Sequence, residues 1–165
     1  MAFGWRVCRM HPRLLYFLSA LLLLVAAHSA ESQDYTLAQL RAAPAEVKIH
    51  GRIVKLDAYL WRDFMPISPP NGKPLIATVR VQSPEGQSIS DGLTVERAWF
   101  LNGAEAWSTS PSEVRTVDGG SIEVVFRNGP LWNPGIVVDI AIVVRDSSGG
   151  RHLVSRREER IERTE

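Results

Sequence analysis

The 165-residue sequence predicts an all-β fold, an antiparallel β-sandwich of about seven to eight strands with a short N-terminal helix. Three observations lead there. Beyond residue 45 the apolar side chains recur at every second position, the period of a strand with one buried face. Nine of the ten prolines and eleven of the twelve glycines lie beyond Ala30, nearly all of them between those runs. In such places proline loses no ladder hydrogen bond and glycine supplies positive φ. The only segment with helical spacing in that part of the chain is two turns long.

Residues 1–30 read as a secretory signal peptide. Arg6, Arg9 and Arg13 precede an apolar run, Leu14 to Ala27, broken only by Ser19, and His28-Ser29-Ala30 forms a small-residue exit. The run is about 14 residues, short of the roughly 18–20 a spanning helix needs, so an uncleaved anchor is the competing reading. A cut after Ala30 places His28 at the −3 position; a cut after Ser29 places Ala27 there. No cysteine follows the run, which excludes a lipid anchor on that residue. The expected product is exported, periplasmic or extracellular, with no stable membrane anchor after leader cleavage. An exported chain without cysteine fits a bacterial periplasm better than a small eukaryotic ectodomain, which usually carries disulfides.

Residues 31–45 form a short helical or irregular lead-in. Thr36 and Gln39 have capping-box spacing, Leu37 and Leu40 make a brief apolar stripe, and Pro44 ends it. The sandwich spans 46–157. Val47, Ile49 and Ile53 share one parity and Val54, Leu56, Ala58 and Leu60 the other, so a bulge or a change of sheet is expected near Gly51. Leu75, Ala77, Val79 and Val81 alternate with polar residues. Leu93, Val95, Trp99 and Leu101 are read as one face of the next strand, with Trp99 in the core. Asn102-Gly103 turns the chain into Ala104–Trp107. Val114–Val117 and Ile122–Phe126 flank Asp118-Gly119-Gly120, the chemistry of a tight hairpin. Ile136, Val138, Ile140, Ile142 and Val144 form the longest stripe. Its opposite face carries Val137, Ala141 and Val143, and the 36–44 helix is the simplest cover for it. Ser147-Ser148-Gly149-Gly150 leads into a last strand, His152–Arg156. Residues 158–165 are expected as a charged flexible tail, or else a frayed extension of that strand.

The order of strands, Trp99 on the third main strand, and the penultimate strand followed by Asp146-Ser-Ser-Gly-Gly150 resemble an immunoglobulin-like or fibronectin type III-like β-sandwich. The resemblance covers residues 46–157 and rests on spacing alone. The paired cysteines of antibody domains are missing. A closed five- or six-stranded barrel is the structural alternative, and the sequence has no internal repeat.

Composition excludes several functions. Beyond Ala30 stand 16 of the 19 basic residues and all 18 acidic ones, a balance near −2 that rules out nucleic-acid binding by bulk charge. The lone Cys8 lies in the leader, which removes disulfides, a thiolate nucleophile and sulfur zinc ligation from the rest. No G-x-S-x-G elbow or nucleotide-binding glycine loop occurs, and Asp57, Asp63, Asp118 and Asp139 are catalytic candidates by type only. His50 and His152 stand near the two ends of the domain. A sandwich can bring first and last strands together, with Asp57 or Asp139 to complete a site, but no metal-ligand spacing supports this. No catalytic residue, metal or cofactor is assigned.

One stretch stands apart. Tyr59-Leu-Trp-Arg-Asp-Phe-Met-Pro-Ile-Ser-Pro-Pro-Asn-Gly-Lys-Pro74 makes a connection of roughly 12–14 residues where a few are usual. Proline stiffens it, and Trp, Arg, Phe and Met are residue types enriched at the centres of binding sites. Trp61, Arg62, Asp63, Phe64, Met65 and the separate Trp132 are therefore the candidate binding residues, with Arg62 and Asp63 setting specificity. The partner expected is an envelope protein or a glycan. The competing reading makes the loop a lid in which Trp61 and Phe64 complete the core. A carbohydrate-binding module using exposed Trp61 and Trp132 is the alternative function, ahead of a hydrolase or metal-binding protein.

Overall fold

A computed structural model describes residues 35–165. The signal peptide read at 1–30 and the first residues of the lead-in lie outside the described residues. Helix α1 (Leu37–Ala42) begins at the expected capping box, with Thr36 Oγ1 accepting from the Gln39 amide at 3.2 Å and Gln39 Oε1 accepting from the Thr36 amide at 2.9 Å. Nine strands follow: β1 (Glu46–Ile49), β2 (Arg52–Asp63), β3 (Ile76–Gln82), β4 (Leu93–Asn102), β5 (Glu105–Thr109), β6 (Glu113–Val117), β7 (Ser121–Phe126), β8 (Val137–Asp146) and β9 (Arg151–Thr164).

The strands make one hydrogen-bonded path, β5-β4-β8-β9-β2-β3-β7-β6, with β1 paired to β2 beside it. The all-β class stands, but in place of two separate sheets there is a single curled one. The joint is β9. From Arg151 to Arg160 it pairs antiparallel with β8, and from Ile161 to Thr164 it pairs parallel with Leu60–Asp63 of β2. Glu158 takes φ +59° and the β8–β9 register shifts between Val138 and Ile140, so the strand re-aims where it changes partner. The segment expected as a flexible tail is thus strand, because Ile161 is wholly buried and anchors it.

Curling encloses the concave face. Phe100 of β4 meets Phe126 of β7 edge-on at 5.5 Å and stacks on Trp107 of β5 at 4.8 Å. Because β4 and β7 stand near opposite ends of the path, the Phe100–Phe126 contact crosses the interior. Val54, Val79, Val124, Ile140 and Ile142, all fully buried, belong to the same core. Each fully buried side chain of this size stabilises by roughly 1.5–3 kcal/mol relative to exposure.

The convex face of β4 and β8 carries a second cluster, Trp99, Leu101, Ala141 and Val143, covered by Leu40 of α1 and flanked by Tyr35. The helix is the cover expected for that face. Trp99 is buried, yet it is not on the side of Leu93 and Val95. A register shift between Val95 and Arg97 turns the strand over, placing Ala98 and Phe100 inside and Trp99 outside against the helix.

The phase change near Gly51 proves to be a hairpin. Ile49 pairs with Arg52 across His50-Gly51, whose φ values of +48° and +83° are those of a two-residue type I′ turn. The Asp118-Gly119-Gly120 hairpin forms as expected between β6 and β7. At Gly120 a Cβ would fall 2.0 Å from Ser88 Oγ, so only glycine fits beneath the β3–β4 connection.

Candidate functional site

Two long connections meet where β2 ends. Of the residues singled out in the sequence, Trp61, Arg62 and Asp63 end β2 rather than lying in a loop, the β2–β3 loop (64–75) carries Phe64 and Met65, and the β7–β8 loop (127–136) carries Trp132. What joins them is Arg62. Its position on β2 points the side chain inward, 2% exposed, and its donors are spent on backbone carbonyls of both loops. Nε donates to Lys73 O at 2.9 Å, Nη1 to Leu131 O at 3.2 Å and Trp132 O at 3.1 Å, and Nη2 to Asn71 O. A buried cation surrounded by carbonyl dipoles is compensated without a carboxylate. Arg62, expected to set specificity at a contact, is buried and clasps the backbones of both loops.

Phe64 is half-buried. The guanidinium carbons of Arg62 and Arg163 lie 5.0 and 4.2 Å from its ring centre. A Cβ on Gly72 would come within 2.7 Å of the same ring, which is why the loop passes there as glycine, at φ +70°. Asp63 serves the loop as well. One oxygen accepts from Lys73 Nζ at 2.7 Å and the other from the Met65 amide at 2.9 Å. The Lys73 hydrogen bond, followed by the Met65 amide, holds its carboxyl below the usual carboxylate range. The main chain adds Lys73 N to Asp63 O at 2.8 Å, Gly72 N to Pro69 O at 2.7 Å and Phe64 N to Thr164 O at 2.8 Å.

Three apolar side chains stand outward on these loops, Met65 at 46% exposure, Ile67 at 87% and Leu131 at 55%, among the exposed polar residues Asn71, Arg127, Asn128 and Asn133. Leu131 lines one recess together with Arg62, Phe64, Pro70, Asn71 and Asn133, which places the two loops side by side. Ile67 and Leu131 were not singled out in the sequence. Both lie in loops dense with proline and aromatic residues, and no sequence pattern distinguishes an outward aliphatic side chain there from one folded into the core.

Trp61 lies on β2 and stacks on Tyr59 at 5.3 Å, with an angle of 25° between the rings. Trp132 packs on the edge of the main core and donates from Nε1 to Glu105 Oε2 at 2.6 Å. Among the described residues no ring contact joins Trp61 to Trp132. Trp61 and Phe64 belong to neither apolar cluster, so these two rings do not complete the core; Leu75 at the end of the loop does enter it.

Of the carboxylates named by type, Asp139 accepts from Arg157 at 3.3 Å and from the Glu158 amide at 3.1 Å, while Asp57 and Asp118 are exposed on β2 and a hairpin. His50 and His152 do converge. Their partner is Asp146, not Asp57 or Asp139: its Oδ2 stands 3.8 Å from His50 Nε2 and 2.8 Å from His152 Nε2. Among the described residues no group of three His, Cys, Asp or Glu side chains is placed to hold a metal ion. None of the described helices is long and apolar enough to cross a membrane.

No protein-family model, curated protein or solved structure matches the chain. The functional reading therefore rests on the geometry: an outward apolar surface on two loops whose backbones are tied together from behind.

Proposed function

We propose that the chain is an exported, non-enzymatic binding protein that docks an envelope protein through the apolar end formed by the 64–75 and 127–136 loops. In this reading the leader at 1–30 directs export, and the curled sheet is an immunoglobulin-like sandwich in which β9 passes from one layer to the other. The shared core and the Phe100–Phe126 contact support that layering.

The observation that carries the proposal is the pairing of exposed Ile67, Met65 and Leu131 with the buried Arg62 clasp. Aliphatic side chains held outward on a stiffened backbone lose little conformational entropy when a partner covers them. They fit the apolar centre of a protein interface. The same arrangement disfavours a glycan: Trp61 stacks on Tyr59 and Trp132 is tied to Glu105, so neither is half of a flat aromatic platform.

The test is a photo-activated cross-linking side chain at position 67 in the exported protein, in living cells, with one at position 57 as the control. A discrete protein adduct specific to position 67 and abolished by Leu131→Asp in the same chain is expected. Identical adducts from both positions, or none from position 67, would overturn the reading.

A further inference from the structure

We propose that β6 is a docking edge for a second copy of this chain, the two β6 strands pairing antiparallel about Val114 so that two sheets become one. The contact uses none of Met65, Ile67 and Leu131, and it is independent of the function proposed above.

The hydrogen-bonded path has two ends, β5 and β6. Beside β5 runs the 127–136 loop: Glu105, Ala106 and Trp107 line one recess with Asn128, Gly129, Pro130 and Trp132. Among the described strands β6 pairs with β7 alone, and four of its five residues are exposed. An edge strand of this kind presents backbone amides and carbonyls that an extended chain completes. One side chain also lacks a cover. Val114 stands opposite Val124, which is wholly buried, so it belongs to the core-facing side of β6, yet it is 58% exposed.

The order of residues selects the occupant. Glu113-Val114-Arg115 is its own complement when two copies run antiparallel. In a pair centred on Val114 the two valines cover each other, and each Glu113 stands opposite an Arg115 of the second copy. A pair centred on Arg115 would instead set two guanidinium groups against each other. Both charged side chains have atoms to spare. Arg127 occupies Glu113 Oε1, through Nε at 3.0 Å and Nη2 at 2.7 Å, and Arg115 gives its Nε to Glu123 Oε1 at 2.7 Å. Glu113 Oε2 and Arg115 Nη1 have no hydrogen-bond partner among the described residues. Across the joined sheets the convex face then carries Arg127, Glu113, Arg115, Glu123 and Arg80 with their signs alternating. Any other extended segment must bring this order of charges with it; a second copy already has it.

Sedimentation equilibrium of the purified protein over a concentration series measures the association. A short strand pair makes a small interface, so a reversible dimer with a micromolar dissociation constant is expected. Glu113→Lys and Arg115→Glu each oppose like charges twice across the two-fold axis, and each should weaken the dimer about tenfold or more. Mixing the two variants restores opposite charges, so a heterodimer of near-parental strength is expected. Thermal midpoints near that of the parent show that both variants are folded. Register is read separately. Val114→Cys, made together with Cys8→Ser, should oxidise to a disulfide-linked dimer, because facing residues of paired strands lie about 4.5–5.5 Å apart at Cα, within disulfide reach. Position 116 faces Ser112 in this register, so Thr116→Cys should link far more slowly. A monomer at every concentration, a dimer unmoved by both charge reversals, a mixture no tighter than its parts, or equal linking at 114 and 116 would overturn the proposal and leave β6 a solvated edge.

Discussion

The Arg62 guanidinium donates to the carbonyl oxygens of both Leu131 and Trp132, so the strand that leads into one apolar loop holds the backbone of the other. The same group holds Asn71 and Lys73 of its own loop. One side chain therefore ties together two loops whose main chains also meet at the Gly129 amide, which donates to Leu75 O at 3.0 Å.

Arg62→Ala leaves several carbonyls without their buried donor. A charged hydrogen-bonding group in such a place contributes about 2–3 kcal/mol, so the thermal midpoint is expected to fall by several degrees. Arg62→Lys is expected to recover little, since one ammonium does not reproduce a planar fork aimed at four acceptors. Amide hydrogen exchange should show the effect locally, with Lys73 and Gly129 exchanging faster, because their amides bond within the clasped loops. A midpoint unchanged in both variants would remove Arg62 from this role.

The two aromatic and aliphatic parts of the 64–75 loop are expected to respond differently to truncation. Phe64→Ala removes a half-buried ring stacked by two guanidinium groups, at a cost of about 2 kcal/mol from lost packing and cation–π attraction. Ile67→Ala removes a side chain with almost no contact to the protein and should stay within about 0.5 kcal/mol of the parent. Equilibrium urea unfolding of the two variants checks this. Equal losses would mean that Ile67 packs inward and is unavailable to a partner.

How far the fold was legible depended on whether local chemistry or a distant neighbour made the decision. Asp118-Gly119-Gly120 and Ser147–Gly150 carry their turn chemistry in the residues themselves, and both hairpins form where expected. The Leu40 stripe and the apolar outer face of β8 likewise implied each other and meet in one cluster. Trp99 went to the other face because a bulge at Val95/Arg97 leaves no mark in a period-two pattern. Ile161 was hidden among charges, and its burial depends on a parallel pairing with Leu60, about a hundred residues earlier in the chain. The loop at 59–74 stood out by composition, but the role of Arg62 did not. Its partners Leu131 and Trp132 are 69 and 70 residues away and are reached through backbone carbonyls, which every residue type possesses.

Glu123 on β7 sits between two cations on the convex face, accepting from Arg115 Nε at 2.7 Å and Arg80 Nη2 at 3.1 Å. The Arg115 hydrogen bond, then that from Arg80, lowers its carboxyl below the ordinary glutamate value. A carboxyl depressed in the folded state contributes stability above its unfolded pKa, near 4.3, and loses it as pH falls through the lower folded value. The parent protein should therefore lose stability below about pH 4.5, and Glu123→Gln should lose less over the same interval. Urea midpoints measured from pH 7 to pH 3 test this; parallel curves for the two proteins would show that Glu123 contributes nothing to the acid dependence.

Ending the chain after Arg160 should loosen the candidate binding surface from a distance. The deletion removes Ile161 from the core, four residue pairs along β2, the Phe64 amide bond to Thr164 and the Arg163 group over Phe64. Losing the buried isoleucine alone costs on the order of 2–5 kcal/mol, so the midpoint should drop clearly. Ile161→Ala is expected to reproduce most of that drop while keeping the Arg163 contact. Comparing the two separates core loss from loop support: amide exchange in residues 64–73 should accelerate more in the truncated chain than in Ile161→Ala. The cluster of Leu40, Trp99 and Val143 lies on the opposite face of β4 and β8, and its exchange should follow global stability alone. A truncated protein with an unaltered midpoint would mean that the last five residues are not part of the sheet in solution, and that Arg62, Asp63 and the loop's own main-chain bonds hold the 64–75 loop without them.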